Sequence, residues 1–265
     1  MESSTGDNPK VTFEQDGDVG IITLADPPLN LFSLQLIDEL GTATAHAQES
    51  SIRALILRAE GEHFTAGAQV DDVFQGLTPA HAEERLEGFR QMIARTERLP
   101  FPTLAVVRGL CLAAGLETIL TVDLIWASET AQFAFAEPVI GLTPVAGGVY
   151  RLASRAGMGR AIETVLTARP YDAATMERWG VVNRVLPDAE LDEKALAFAR
   201  RLAAGPTQAY AVTKELMRTY SEQGMAAADA LTPKACARLF ETEDLAHGIE
   251  SLLTKGPGHA EFHGR

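Results

Sequence analysis

Short apolar runs alternate with longer amphipathic stretches up to about residue 145, a pattern that indicates a mixed α/β fold. The apolar runs predict strands at 11–15, 20–24, 53–58, 103–107, 123–127 and 132–136. A helix capped by Ser33 is predicted after the second run, with Leu36 and Leu40 on its buried face. Further helices are predicted at 79–99 and from Ala114 onward. Strand–strand–helix units therefore recur along the chain.

Helices predominate beyond residue 146. Apolar residues recur at helical spacing after Asp188, the expected cap, at Leu191, Ala195, Phe198 and Leu202. Later helices are predicted at 207–220, 224–241 and 244–253. The pair Gly205-Pro206 marks a boundary before them. We therefore predict a disordered N-terminus at 1–9, a mixed α/β core at 10–204 and a helical region at 205–265.

Charge limits the classes of partner. The 265 residues carry a formal net charge of −13, and their 23 basic residues are scattered rather than arranged in a stripe. This balance excludes nucleic acid and an anionic membrane surface as the main partner. It leaves room for an anionic small molecule, which needs only a local basic or backbone-amide site.

The cysteines and histidines predict neither disulfides nor a metal site. Cys111 and Cys236 are far apart and form no C-x-x-C pair. The histidines show no metal-ligand spacing; they are His46, His63, His81, His247, His259 and His263. Two unpaired cysteines are typical of a reducing compartment, so the predicted location is the cytoplasm.

The sequence contains no recognisable targeting or membrane segment. The first nine residues, MESSTGDNP, are polar and acidic, unlike the basic and apolar parts of a signal peptide. The longest apolar region is interrupted by Arg108, Glu117 and Asp123, which excludes it as a membrane span. We predict no association with a membrane.

Two glutamates lie within apolar sequence, where a carboxylate is costly. Glu117 is in the middle of TLAVVRGLCLAAGLETILTVDLIWAS, and Glu137 follows in AQFAFAEPVIGLTP. Burial of a carboxylate without partners costs several kcal/mol or raises its pKa. Each glutamate could instead cap a helix or pair with an arginine. Two such residues, each beside a glycine-bearing loop, favour a pair of acid/base groups.

Two strand–glycine–helix connections provide candidate anion-binding amides. They are EGEHFTAGAQV and VVRGLCLAAGLE, each after a predicted strand. Such turns are mostly structural when they occur alone, but two together predict opposed N–H donors for an oxyanion. A helix from Ala114 would direct its positive end at the same charge. The stretch GGVYRLASRAGMGR lacks the lysine of a phosphate loop and is predicted to be a helix with a glycine stop.

These segments resemble the crotonase, or enoyl-CoA hydratase/isomerase, superfamily over about residues 11–264. The matching stretches include HFTAGAQV, VVRGLCLAAGLETILTVDLIWAS and AQFAFAEPVIGLTPVAGGVYRLASRAG. The resemblance implies an α/β (α+β) spiral of strand–strand–helix units with a C-terminal helical trimerisation region. It implies coenzyme A thioesters as substrates, with no cofactor beyond the coenzyme A that the thioester carries. It also implies a homotrimer or a hexamer of paired trimers.

The resemblance assigns roles to individual residues. The N–H groups of Ala68 and Ala114 match the oxyanion hole that holds the thioester carbonyl. Glu117 matches the first catalytic glutamate, which activates water for attack on Cβ, and Glu137 matches the second, which protonates Cα. The residues implied in substrate and coenzyme A binding are Ala66, Ala68, Gln69, Val70, Ala114, Val145 and Lys255.

Three departures from the family pattern bear on the substrate. The usual triple glycine is here Ala113-Ala114-Gly115, and the acidic residue expected after A-G-A is Gln69. The usual P-G-A-G-G is P-V-A-G-G, so that Val145 is expected to crowd the region of the catalytic water. These changes indicate specialisation away from short straight-chain substrates.

Three functions follow as hypotheses. Hydration or dehydration of a 2-enoyl-CoA thioester requires both glutamates. Double-bond isomerisation requires only Glu137, with Glu117 auxiliary. The third is a non-catalytic crotonase-fold oligomer that binds an acyl-CoA.

Overall fold

The computed structural model describes residues 8–265. The segment predicted to be disordered, 1–9, therefore lies outside the described residues except for Asn8 and Pro9, which are exposed and form no regular structure.

Within residues 8–265, nine strands form two sheets. They are β1 (Val11–Asp16), β2 (Val19–Leu24), β3 (Ala54–Ala59), β4 (Thr103–Val107), β5 (Leu110–Leu112), β6 (Leu124–Ser128), β7 (Gln132–Ala134), β8 (Tyr171–Asp172) and β9 (Arg184–Leu186). The larger sheet has the order β1-β2-β3-β4-β6-β9 and the smaller one β5-β7-β8. In the larger sheet only the β1–β2 hairpin is antiparallel. The predicted strands are all present, within two residues at each end.

Helices occupy the rest of the regular structure within residues 8–265. They are α1 (Leu34–Glu49), α2 (Val70–Val73), α3 (Pro79–Glu97), α4 (Ala114–Ile119), α5 (Gly148–Ala156), α6 (Met158–Thr167), α7 (Ala173–Arg178), α8 (Asp188–Ala203), α9 (Thr207–Gln223), α10 (Met225–Ala237) and α11 (Glu243–Lys255). Two 3-10 turns cover Glu137–Ile140 and Arg238–Glu241. The Ser33 hydroxyl accepts from the N–H of Leu36, as predicted for the cap of α1.

The alternation of side chains along β3 explains why its whole sequence is apolar. Leu55 and Leu57 belong to one hydrophobic core, under the α1 and α3 side of the larger sheet. Ala54 and Ile56 point to the other face, where α8 packs with Ala195. Both faces of the sheet are thus covered, which is typical of parallel sheets.

The C-terminal helices α9, α10 and α11 form the predicted helical region. Arg53, beside the larger sheet, donates to the carbonyls of Gly205 (2.7 Å) and Phe262 (3.1 Å), which fixes both ends of this region to the core.

One predicted cap is wrong. Helix α8 begins at Asp188 itself, after Pro187, and the Asp188 side chain accepts no cap hydrogen bond. Its carboxylate instead accepts from Arg108 Nε at 3.2 Å. Pro187, with φ −55° and ψ 139°, occupies the N-cap position, so Asp188 lies one residue beyond the place from which a side chain caps a helix.

Candidate active site

Three parallel extended segments end at one edge of the smaller sheet. Thr65 pairs with Cys111 of β5, and Cys111 pairs with Phe133 of β7. Because parallel segments direct their carboxyl ends to the same edge, the residues that follow them converge. Ala68 follows the first segment, Ala114 the second, and Glu137 the third.

The two predicted oxyanion donors have free N–H groups. Gly67 O accepts from the N–H of Phe32, and the N–H of Gln69 donates to Phe32 O, at 2.9 and 3.0 Å. Backbone groups alternate along an extended strand, so the N–H of Ala68 faces away from Phe32. Ala114 is the first residue of α4, where an N–H has no acceptor within the helix. Within residues 8–265, neither N–H donates to a protein acceptor.

Close backbone packing sets the relative position of the two donor loops. A Cβ on Gly67 would lie 3.3 Å from the Cβ of Ala113, and one on Gly115 would overlap the Thr65 methyl. Ala113 itself has φ 49° and ψ −117°, a conformation that favours glycine. Its N–H donates to Ala134 O and its carbonyl accepts from the N–H of Glu117, which hold it in place.

Glu117 lies within an arch of backbone N–H groups. The side chain is completely buried, and Oε1 accepts from Ala146 N at 2.8 Å and from Gly148 N at 2.9 Å. Oε2 accepts from Val145 N at 3.1 Å. Burial raises the pKa of Glu117 above its ordinary value, while these bonds and the charge of Arg151 offset part of the increase. The three donors stabilise the ionised form.

Glu137 has a different environment. It opens the 3-10 turn Glu137–Ile140, is 7 % exposed, and its Oε2 has no hydrogen-bond partner within residues 8–265. Burial raises the pKa of Glu137 from 4.5 to about 7. A hydrogen bond from its own backbone N–H opposes this increase, and the negative charge of Glu117 adds a smaller increase. Near neutral pH this carboxyl is therefore present in both protonation states.

Both glutamates open into a single cavity of about 270 Å³. Ala66, Ala68, Val70, Ala114 and Val145 line the same cavity, so it brings together seven of the nine residues predicted for the site.

The rest of the cavity wall is mainly apolar and includes Phe32, Phe74 and Phe89. Apart from the two glutamates, Arg85 is the only charged residue among those of 8–265 that line the cavity. Its Nη1 donates to the carbonyls of Asp72 and Val73. The cavity is suited to an apolar group held beside two carboxyls.

Two predicted binding residues do not line the cavity. Gln69 lies at the N-cap position of α2, and its side chain makes no cap hydrogen bond. Lys255 is the last residue of α11 and is exposed. The structure of one chain brings neither side chain to the glutamates, and their roles stay predictions.

No group of three or more His, Cys, Asp or Glu side chains in residues 8–265 is placed to hold a metal ion. Within that range no helix has the length and apolar character needed to cross a bilayer.

The backbone arch around Glu117 and the side chain that supports it were not predicted from the sequence. In the segment PVAGG the sequence indicates only the bulk of Val145, yet the segment supplies three N–H donors. Gly148 is required there because a Cβ would lie 2.7 Å from Glu117 Cγ. Arg151 donates to Ala146 O behind the arch. The glycine pair at 147–148, opening a helix, was the available signal.

Known proteins share this chain's sequence and architecture. The sequence profile described as enoyl-CoA hydratase/isomerase matches residues 14–263. A probable enoyl-CoA hydratase of Rhizobium meliloti is 33% identical over 246 residues, which cover 91% of this chain and 94% of that protein.

Solved structures give the same result. A putative enoyl-CoA hydratase from Streptomyces coelicolor superposes with a TM-score of 0.91 at 28% identity, covering 100% of both chains. A Geobacillus kaustophilus structure described as "Enoyl-CoA Hydrates Subunit I" gives 0.90 at 31% identity, covering 97% of this chain and 98% of that one.

The chain therefore belongs to the enoyl-CoA hydratase/isomerase family. The predicted crotonase-type fold and its C-terminal helical region are confirmed.

Proposed function

We propose that this protein adds water to the double bond of a 2-enoyl-CoA thioester, or removes it in the reverse direction. The observation that carries the proposal is the pair of unlike carboxyls in one apolar cavity. Glu117 is stabilised as an anion by three N–H groups, and Glu137 has an unpartnered, buried oxygen. Paired carboxyls in different environments are suited to act as base and acid.

The thioester carbonyl would lie between the N–H groups of Ala68 and Ala114. Their donors are free and the cavity reaches both residues. Two fixed donors polarise the carbonyl and stabilise the enolate that forms when a nucleophile adds to Cβ. The acyl group would extend along the apolar wall of the cavity.

Water attack then requires one proton acceptor and one proton donor. Glu117 accepts a proton from water as the new C–O bond forms at Cβ, and the π electrons move to the thioester oxygen. As the enolate collapses, protonated Glu137 donates its proton to Cα. A proton passed from Glu117 to Glu137 through solvent returns both groups to their starting states. A pKa of about 7 leaves Glu137 able to donate near neutral pH.

Isomerisation by Glu137 alone is the second candidate. The observation in its favour is that both oxygens of Glu117 already accept backbone hydrogen bonds, whereas Oε2 of Glu137 is free to take and return a proton. In that reaction Glu137 removes a proton from one carbon of the substrate and returns it to another, and no water is incorporated. The non-catalytic alternative keeps acyl-CoA binding without turnover.

We also propose a homotrimer, or a hexamer formed by two trimers, with coenzyme A bound as part of the substrate and no separate cofactor. Exposed apolar faces support an oligomer. Met158, Ile162 and Leu166 recur on one face of α6, and Leu252 and Leu253 of α11 are 56 % and 80 % exposed. Lys255 adjoins this α11 face, so it would reach a coenzyme A phosphate from a neighbouring subunit. Sedimentation equilibrium tests the assembly, and a monomer would contradict it.

Product analysis in H2¹⁸O tests the reaction. We expect a product heavier than the 2-enoyl thioester by one water, with the label at C3. A double bond moved to another position, without label, would favour isomerisation by Glu137. Tight binding of the thioester with neither product would favour the non-catalytic alternative.

A further inference from the structure

We propose that Arg151 and Glu97 are positioning residues that hold Glu117 in its reactive place through the backbone of Ala146. The inference rests on the proposed role of Glu117 and adds two residues that lie outside the cavity. They form a continuous chain of hydrogen bonds from α3 to the carboxylate.

The first link in this series of hydrogen bonds is a bidentate ion pair between α3 and α5. Arg151 Nε is 3.1 Å from Glu97 Oε1, and Nη2 is 2.8 Å from Oε2. The Arg151 side chain is 13% exposed and the Glu97 side chain 39%, so the guanidinium is shielded from water while the carboxylate is partly solvated. The pairing fixes the plane of the guanidinium group and leaves Nη1 as the remaining nitrogen.

The remaining nitrogen of Arg151, Nη1, hydrogen-bonds Ala146, which in turn hydrogen-bonds Glu117. Arg151 Nη1 donates to Ala146 O at 3.0 Å, while Ala146 N donates to Glu117 Oε1 at 2.8 Å. Ala146 is completely buried. Its backbone is thus held on both sides, by the guanidinium and by the carboxylate, and a shift of Arg151 is transmitted to Glu117.

Gly147 makes room for the guanidinium. Its φ is 91°, and an added Cβ would lie 2.5 Å from Arg151 Nη1 and overlap the Tyr150 hydroxyl. The backbone therefore turns at the one residue type that lets Arg151 reach Ala146 O. This local fit is independent of the ion pair and indicates the same contact.

Arg151 also contributes charge. It lowers the pKa of Glu117 against the effect of burial. The other charged groups around Glu117 are Glu137 in the cavity, Arg85 on its far wall, and Glu97, which acts through Arg151. Glu137 and Glu97 are acidic, and Arg85 donates to the carbonyls of the last two residues of α2. Arg151 is therefore the cation that favours ionised Glu117.

The test is a carboxyl ¹³C NMR titration of the protein labelled at glutamate, with Glu117→Gln and Glu137→Gln used to assign the two signals. We expect Arg151→Gln to raise the titration midpoint of Glu117 by about one pH unit. Arg155→Gln is the matched control. Arg155 lies one turn along α5 and binds the carbonyls of Val122 and Val181 instead, so the midpoint should not move.

Turnover provides a second readout. If the enzyme hydrates 2-enoyl thioesters, Arg151→Gln should lower kcat about tenfold or more, leave KM nearly unchanged and move the acidic limb of the pH profile upward. Arg151→Lys keeps the charge but loses the planar fork, so it should show a smaller effect in the same direction. This variant also serves if Arg151→Gln does not fold.

The two readouts separate this inference from the proposed function. Absence of turnover in the wild type would overturn the hydratase proposal, while the NMR midpoints would still decide the role of Arg151. Unchanged Glu117 midpoints in folded Arg151→Gln and Arg151→Lys would overturn the positioning role, whatever the activity.

Discussion

Glu117 accepts three backbone hydrogen bonds, whereas Oε2 of Glu137 in the same cavity accepts none from residues 8–265. This difference in hydrogen bonding gives the two glutamate side chains different acid–base properties. Donors stabilise a carboxylate, and a buried oxygen without donors favours the protonated acid. The division of roles in our proposal follows from this contrast rather than from the identity of the residues.

The contrast predicts the direction of the pH dependence. Hydration requires protonated Glu137, whose pKa is about 7, so kcat/KM for hydration should fall as pH rises through about 7. Isomerisation that begins with ionised Glu137 would rise over the same interval. The measurement is kcat/KM from pH 5 to 9 with a single 2-enoyl thioester. An increase through pH 7 with no decline above it would contradict the assignment of Glu137 as the acid.

Glu137 should also lower the free energy of unfolding as pH rises from about 4.5 to about 7. Its folded pKa of about 7 exceeds the unfolded value of 4.5, so the folded state binds the proton more tightly. Stability is then highest below about pH 4.5 for this group and falls as pH rises to about 7, by at most about 3 kcal/mol. The variant Glu137→Gln should lose this dependence. Its melting temperature relative to wild type should increase from pH 5 to pH 8, and a constant difference would contradict the raised pKa.

Gly148→Ala should disrupt the arch around Glu117. The added Cβ would lie 2.7 Å from Glu117 Cγ and 2.8 Å from the Phe135 ring, so Glu117 must move. We expect turnover to fall about 10²-fold, the effect typical of a misplaced catalytic group. Gly159→Ala, on α6 with open space around its Cα, is the control and should retain activity. Equal activity of the two variants would show that turnover does not depend on the position of the Glu117 side chain.

Ala113→Gly should stabilise the protein. Ala113 adopts φ 49° and ψ −117°, and release of this strain is worth about 1 kcal/mol after the larger unfolded-state entropy of glycine is included. Ala153→Gly in α5 is the opposite control, because glycine at a helical residue costs about 1 kcal/mol. Urea denaturation measures both. A loss of stability in Ala113→Gly would mean that the strained backbone is not the native one.

Patterns of local sequence predicted most of the fold. The run at Thr103–Val107 is the structural strand without change, and Ser33 caps α1 as expected. Several short elements were not predicted, among them Leu110–Leu112, Arg184–Leu186 and Ala173–Arg178. Their three to six residues show too little hydrophobic periodicity to identify a strand or a helix.

The site residues that could be predicted are those whose side chain is unusual for the sequence immediately around it. Buried carboxylates in apolar sequence pointed to Glu117 and Glu137, and both line the cavity. The partners of Glu117 were harder to predict, because they are backbone N–H groups 28 to 31 residues away along the chain. Only the glycine pair at 147–148 indicated a close backbone approach there, and it did not identify the group that is approached.

The central claim is that both carboxyls act in hydration, and the most direct measurement is loss of the enoyl-thioester absorbance over a panel of 2-enoyl-CoAs. The enzymes compared would be wild type, Glu117→Gln, Glu137→Gln and, as an exposed control, Glu129→Gln. The account predicts turnover by wild type and by Glu129→Gln, with rates reduced about 10²-fold or more in each of the other two. Rates near wild type in either Glu117→Gln or Glu137→Gln would contradict it.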